Sequence, residues 1–361
     1  MSWKNLEKWQ KRKLIIGVSL IVVIAIVYLG FTVNMLYQDK KSEDYYWDSN
    51  LTMSQELQQE VKQRSGNATQ VLVGSYIENL KEVNIKSSYF RAVYEIWFKW
   101  EGNPDLDMIK HFHVYKGSIN STEVMKDYHD GNTNYQLIRA DITVTKNYWT
   151  RRFPLESHQL RMYLESTYPI EQVVLNADVD NSGYNGNLSI SGYNLRRHAT
   201  ATYAVEYDNA HSDPQIKKDV MTSEFVTAME INRDGIGLYL KCFIALVGTI
   251  SWVMIALFIC THHHVDPLGM MPAALFGTVT NIMVGANLLP DALQTGLLEF
   301  ENIFGIMIIL SCAIAVININ RVRTKWQDKE FATYLGRIIF CLLLFFIVVG
   351  NILLPLSAYL N

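Results

Sequence analysis

The sequence predicts a membrane protein of mixed β and α class. An extracytoplasmic antiparallel β-sandwich stands on a four-helix transmembrane domain, and one N-terminal transmembrane helix precedes both. Two observations carry this prediction. The apolar spans come in the order one, then a long polar stretch, then four more crowded into the last third of the chain. The polar stretch itself consists of short alternating runs separated by turn residues.

The net charge of -3 over 361 residues is an average of a polar part and a lipid-soluble part, so each is read separately. Residues 1–13 form a basic cytoplasmic N-terminus with Lys4, Lys8, Lys11, Arg12 and Lys13. Residues 14–37 form the anchor: Leu14 to Leu36 is an uncharged apolar run that makes about 35 Å of helix, enough to span with some tilt. A cleavable secretory signal has a shorter apolar region and a small-residue cleavage site, and Asn34-Met35-Leu36-Tyr37 supplies none. The segment reads as an uncleaved anchor.

Residues 38–82 read as a stalk or short helix, weakly amphipathic through Leu51, Leu57 and Val61. The sandwich is expected over residues 83–234. In its first strand Phe90, Ala92, Tyr94, Ile96, Phe98 and Trp100 share one face, with Arg91, Glu95 and Lys99 on the other, until Glu101-Gly102-Asn103-Pro104 turns the chain. Strand-like runs follow at His111 to Tyr115, Tyr135 to Thr145, Leu160 to Glu165, Gln172 to Ala177, Tyr193 to Tyr207 and Val220 to Ile231. Many short strands without long intervening helices argue for a sandwich.

Residues 235–361 hold the four later spans, at 236–260, 269–289, 303–319 and 334–359. Runs this apolar, back to back, leave no polar faces to cover a soluble bundle. The connector with Arg321, Arg323, Lys325, Lys329 and Arg337 is basic, whereas Pro290 to Asn302 is acidic. Basic loops stay cytoplasmic, so the N-terminus is expected inside, with the large domain and the C-terminus outside, in the plasma (inner) membrane. Cys242, Cys260, Cys312 and Cys341 all fall in the spans, which leaves the external domain without a disulfide framework.

Enzyme signatures are missing: there is no phosphate-cradling loop, no nucleophile elbow and no spaced His-Glu pair. Glu165, Asp178 and Asp180 read as strand-end and turn residues rather than an acid/base pair. The run Thr261-His262-His263-His264 invites a metal reading, but adjacent residues seldom converge on one ion, so no metal site and no cofactor are expected. Neither an enzymatic activity nor a nucleic-acid partner is expected.

The segment Arg152-Phe153-Pro154-Leu155-Glu156-Ser157, followed by the strand His158 to Glu165, resembles the Phe-Pro-Phe-Asp turn and following strand of the pentameric ligand-gated ion channels. This is the Cys-loop receptor superfamily, here in the manner of its prokaryotic members without the disulfide. Further likeness lies in Trp97-Phe98-Lys99-Trp100, in a sandwich leading directly into four spans, in Asn281 to Asp291, and in Leu335-Gly336-Arg337-Ile338 with Asn351 deeper in the last span. The resemblance runs from Val83 to the C-terminus. The chain departs from it in lacking a proline in the first channel-type span, in its extra N-terminal anchor, and in carrying Pro272 inside the second span.

The resemblance implies a homopentamer whose second span lines an ion pore, with Leu268, Met271 or Pro272, Leu275, Val279, Ile282 and Ala286 facing the axis at helical spacing. Such an apolar stripe suits a gate that closes by dewetting, with Leu275 as the narrowest ring. Asp266 and Asp291 at the two mouths would favour cations, and His264 with its neighbours would add a pH response. Phe153, Pro154, Leu155 and Glu156 would touch the membrane domain and couple to Arg233. Tyr168 and Tyr207 are the candidate contacts to an unidentified small-molecule or proton ligand. The partners implied are membrane lipid, inorganic ions and four further copies of the chain. Two other readings are a non-conducting sensor or scaffold of the same fold whose external domain binds a partner, and a transporter. The transporter is disfavoured because no ionisable residue stands at mid-membrane depth in the last four spans.

Overall fold

A computed structural model of the chain describes residues 3, 6–188, 190, 192–207, 220–234, 236–289 and 295–359, without the side chains at 275 and 284–286. The chain divides into two compact units. One is Met1–Ser42 with Thr150–Glu156 and Gly235–Asn361; the other is Glu43–Trp149 with Ser157–Asp234. Among the described residues the helices are α1 (Lys8–Ser49), α2 (Gln55–Ser65), α3 (Gly237–His263), α4 (Met271–Leu288), α5 (Leu297–Lys325) and α6 (Lys329–Tyr359).

In the helical unit, α1, α3, α5 and α6 are long and apolar enough to cross a membrane. The helix expected as the second channel-type span is shorter: α4 has 18 residues, which makes about 27 Å of helix. Pro272 does not interrupt it. A 3-10 turn, Leu268–Met270, ends immediately before α4, so Pro272 lies in the helix's first turn, where its missing N–H would have had no partner. Proline does stand inside α6, at Pro355.

Small residues set the helix spacing. A Cβ on Gly277 would strike the Thr249 hydroxyl, and one on Gly336 would strike Thr261, so α4 and α6 each approach α3 where a side chain has been removed. Polar pairs register the helices: Asn281 donates to Asn302 at 2.8 Å between α4 and α5, and Tyr239 donates to Glu301 at 2.8 Å between α3 and α5. Helix α1 is fixed to this unit at two levels. Tyr28 donates to the Phe300 carbonyl at 2.7 Å, while nearer the N-terminus Trp9 meets the Trp326 ring edge-on at 4.7 Å and Gln10 donates to Asp328 at 2.6 Å.

The strand-rich unit holds two sheets. The first runs β4 (Gly117–Asp130), β5 (Thr133–Thr145), β2 (Tyr89–Glu101), β1 (Thr69–Asn84), β7 (Val173–Ala177), with β8 (Gly183–Tyr184) also on β1. The second runs β3 (Phe112–Val114), β6 (Ser157–Pro169), β10 (Val220–Arg233), β9 (Tyr193–Tyr207). The expected all-antiparallel arrangement needs correction: β7 and β8 both lie parallel to β1, so the first sheet is mixed.

The alternation predicted for β2 is borne out, since Phe90, Ala92, Tyr94, Ile96, Phe98 and Trp100 are all buried. Strand formation begins earlier than Val83. β1 occupies residues assigned to the stalk and buries Val71, Val73 and Ile77, with Gly74 set against the Trp97 ring where any Cβ would collide. Helix α1 likewise continues to Ser49, well past the anchor end expected at residue 37, and α2 lays Leu57 and Val61 on the buried cluster of Ala68, Ile170, Val174, Ala204 and Met221. No sequence pattern marks β4: every one of its residues is exposed, and among the described residues it pairs with β5 alone.

Candidate functional site

The polar face of the second sheet gathers several titratable side chains of the strand-rich unit. Alternation along β6 sets Arg161, Tyr163 and Glu165 on one face. Register then places Glu224 of β10 directly opposite Glu165, with Val226 opposite Tyr163. Glu165 is thus no strand-end residue: it lies within β6 and is 1% exposed. Its carboxylate accepts from Tyr207 at 2.6 Å and from Thr222 at 2.6 Å, and stands 3.1 Å from His113 Nε2.

These contacts separate the two carboxyl groups electrostatically. Burial works to raise the Glu165 pKa, but the hydrogen bonds from His113, Thr222 and Tyr207 overcome it and hold the group below its ordinary value. For Glu224, burial and then the neighbouring Glu165 charge push the pKa up to about 7. His113 is raised by its hydrogen bond to Glu165. Two adjacent acids therefore differ in protonation near neutral pH.

A cleft of about 750 Å³ opens beside this group, walled by Tyr46, Trp149, Tyr163 and Tyr207 and carrying Lys146, Arg161 and Glu224. Lys146 is half-buried, and this partial burial lowers its pKa against the pull of Glu43. The combination of aromatic walls, mixed charge and one acid whose pKa burial raises is suited to a small ligand with both an apolar body and a polar group.

The last turns of α1 border the cleft. Arg161 donates to the carbonyls of Tyr46, Trp47 and Asn50 at 3.2, 3.4 and 2.8 Å, and its guanidinium lies 4.8 Å from the Tyr46 ring centre. A cation thus meets the negative end of the helix, where the final carbonyls lack helical partners. Gln159 donates to the Glu43 carbonyl at 2.7 Å and Arg197 to Asp44 at 3.0 Å, which extends the attachment along β6 and β9.

Of the two expected ligand contacts, Tyr207 lines the cleft with its hydroxyl on Glu165, whereas Tyr168 does not line it and instead lies 4.4 Å, ring centre to ring centre, from His111. The rest of the hairpin expected from Tyr207 to Lys218 lies outside the described residues. Glu165, Glu224, Arg161 and Lys146 escaped functional assignment in the sequence. The available signal was the alternation Arg161, Tyr163, Glu165, a polar face on a strand whose other face is apolar.

In the helical unit, the segment with Phe153, Pro154, Leu155 and Glu156 is buried, and the Phe153-Pro154 bond is cis. Arg151 accepts a hydrogen bond at its carbonyl from Leu297 N at 2.7 Å, and Arg152 pairs with Asp39 at 3.3 Å and donates to the Ala358 carbonyl at 3.4 Å. A chain segment that connects β5 to β6 is in this way built into the helices α1, α5 and α6. Arg233 belongs to the strand-rich unit, where its guanidinium lies 4.2 Å from the Tyr193 ring centre.

Helix α4 buries Met271, Ala274, Thr278 and Asn281 against its own unit. Of the expected pore stripe, Pro272, Val279 and Ile282 are exposed on the remaining surface, together with Phe276 and Met283, while Leu268 is half-buried in the 3-10 turn. The side chains of Leu275 and Ala286, and the whole of Asp291, lie outside the described residues. Asp266 accepts from Leu268 N at 3.1 Å and so shapes the turn into α4; His264, exposed, ends α3 with φ at 62°.

The four apolar helices and the two-sheet unit define the class: a membrane protein with a β-rich unit and a helical unit. No family model and no curated protein matches the chain.

Proposed function

We propose that the chain is one subunit of a homopentameric ion channel of the ligand-gated type. Its strand-rich unit is the extracytoplasmic sandwich, and α4 lines a cation-preferring, pH-modulated pore. The observation that carries this reading is the inclusion of Thr150–Glu156 in the helical unit. Residues joining two strands are held by Asp39, Leu297 and Ala358. A binding event that moved β6 would be felt by three membrane helices, which is the connection a gated pore requires. The apolar surface that α4 leaves exposed supports the same reading, since identical copies around an axis would cover it.

In this reading the N-terminus is cytoplasmic and the protein belongs to the plasma (inner) membrane. The cleft beside Tyr207 and Glu224 receives the ligand, and protonation of Glu224 joins the His262 to His264 run as a source of pH dependence. Leu275 closes the pore at rest, Asp266 and Asp291 set its cation preference, and Glu156 and Arg233 serve in coupling ligand binding to the pore.

The deciding experiment is single-channel recording of the purified protein in planar bilayers, with pH varied on each side separately, together with particle symmetry by electron microscopy. Cation currents from five-fold particles are expected. Five-fold particles that stay silent under every condition would turn the reading toward a non-conducting sensor, and particles without five-fold symmetry would overturn it.

A further inference from the structure

Between the two levels at which α1 is fixed, the helical unit holds a groove of about 570 Å³. One wall is the α1 face Ile16, Leu20 and Ile24; the others come from α5 and α6, with Phe304, stacked on Tyr28, at one end. At the opposite end the groove reaches Arg12 and Lys13, and Lys13 Nζ lies 3.8 Å from the Trp326 ring centre. No carboxylate lines it among the described residues. Ser311 and Asn318 are its other polar lining.

We propose that this groove binds one anionic glycerophospholipid, with an acyl chain lying along α1 and the headgroup phosphate held by Arg12 and Lys13. Three observations select this occupant. The unit has the helices of a membrane protein, so the groove opens onto acyl chains and not water. Its lining is apolar along its length and basic at one end only, which is the charge distribution of an anionic lipid reversed. Trp9 and Trp326 stand at the basic end, and tryptophan prefers the headgroup level.

Gly17 matters to the fit. A Cβ at this position would meet nothing within 4 Å, so the α1 wall recedes there and leaves room beside the helix axis. A second copy of the chain could cover the groove with an apolar helix, but such a helix would leave Arg12 and Lys13 without an anion. The proposal rests on membrane insertion alone and is independent of conduction.

The test uses the full chain purified in mild detergent, with phosphatidylglycerol and phosphatidylcholine of identical acyl chains added in turn. Native mass spectrometry and thermal shift are the readouts. Phosphatidylglycerol is expected to bind on the order of ten-fold more tightly and to raise the melting temperature more, given the attraction of each base for an anionic headgroup.

The Arg12→Gln/Lys13→Gln variant should lose that preference, whereas Lys8→Gln/Lys11→Gln, outside the groove, should keep it. Gly17→Phe should block retention of the lipid with helix content unchanged. Equal binding of the two lipids, equal losses in the two Lys/Arg double variants, or full retention by Gly17→Phe would each overturn the proposal. Displacement of the lipid by inorganic phosphate alone would also overturn it, since the chain-binding groove would then contribute nothing.

Discussion

The guanidinium of Arg161, on β6, donates to the backbone carbonyl of Asn50 at 2.8 Å and so closes the C-terminus of α1 with a side chain from the sheet. The same group reaches the carbonyls of Tyr46 and Trp47. Arg161→Met should remove these charge-assisted bonds and cost about 2 kcal/mol of stability. Hydrogen exchange at residues 44–50 is the measurement, and faster exchange there, with β10 still protected, is the expected outcome. Unchanged exchange would show that the remaining contacts of the helix suffice.

Glu224 should make the strand-rich unit less stable as pH rises. Burial lifts its folded pKa from 4.5 to about 7, so the folded state holds a proton that the unfolded chain has already released. Stability is then lost as pH climbs from about 4.5 through about 7, by an amount on the order of 1–3 kcal/mol. Glu224→Gln should flatten this part of a melting-temperature profile. An unaltered slope would assign the dependence to His113, whose raised pKa acts in the same direction.

Asp141 should govern the acid side. It is bonded to Arg91 at 2.7 Å and to Lys81 at 2.6 Å, and the hydrogen bond from Arg91, then those from Lys81 and Asn120, hold its pKa well below the usual carboxylate range against the effect of burial. A depressed folded pKa contributes stability that is present above the unfolded value near 4 and is lost as pH falls below it. Both cations are partly exposed, so solvent screening limits the effect of Asp141→Asn to about 1–3 kcal/mol at neutral pH. The variant should also have a shallower acid-unfolding curve.

Leu275 tests the pore reading. Leu275→Ser should wet the proposed constriction and give leak current or easier opening in bilayer recordings. A closed state indistinguishable from that of the parent protein would remove Leu275 from the gate.

Glu156 and Arg233 test the proposed coupling. Each single change, Glu156→Arg or Arg233→Glu, should impair ligand- or proton-evoked current, and the double exchange should restore part of it. A double variant no better than either single one would defeat the pairing.

Much of this organisation was legible in the sequence because its signals are local. Membrane spans depend on length and composition, and strands such as β2 and β9 depend on alternation or on turn residues at their ends. Elements whose partners lie elsewhere in the chain were harder. β4 has no buried face and is a strand only because β5 offers it an edge, so no alternation could announce it. β1 hid its alternation behind Gly74 and a shifted register after Ile77, features that make sense only against Trp97 and β2.

The candidate site divides in the same way. Tyr207 stands out as an aromatic near an expected hairpin, and the Phe-Pro-Leu-Glu segment as a rigid turn, because both are readable from neighbouring residues. Tertiary structure alone decided that Glu165 and Glu224 stand opposite one another, that Arg161 meets the end of a helix begun far upstream, and that Arg12 and Lys13 face a groove. Each depends on register or packing between segments distant in sequence, where burial and charge proximity are set by the fold and not by the local chain.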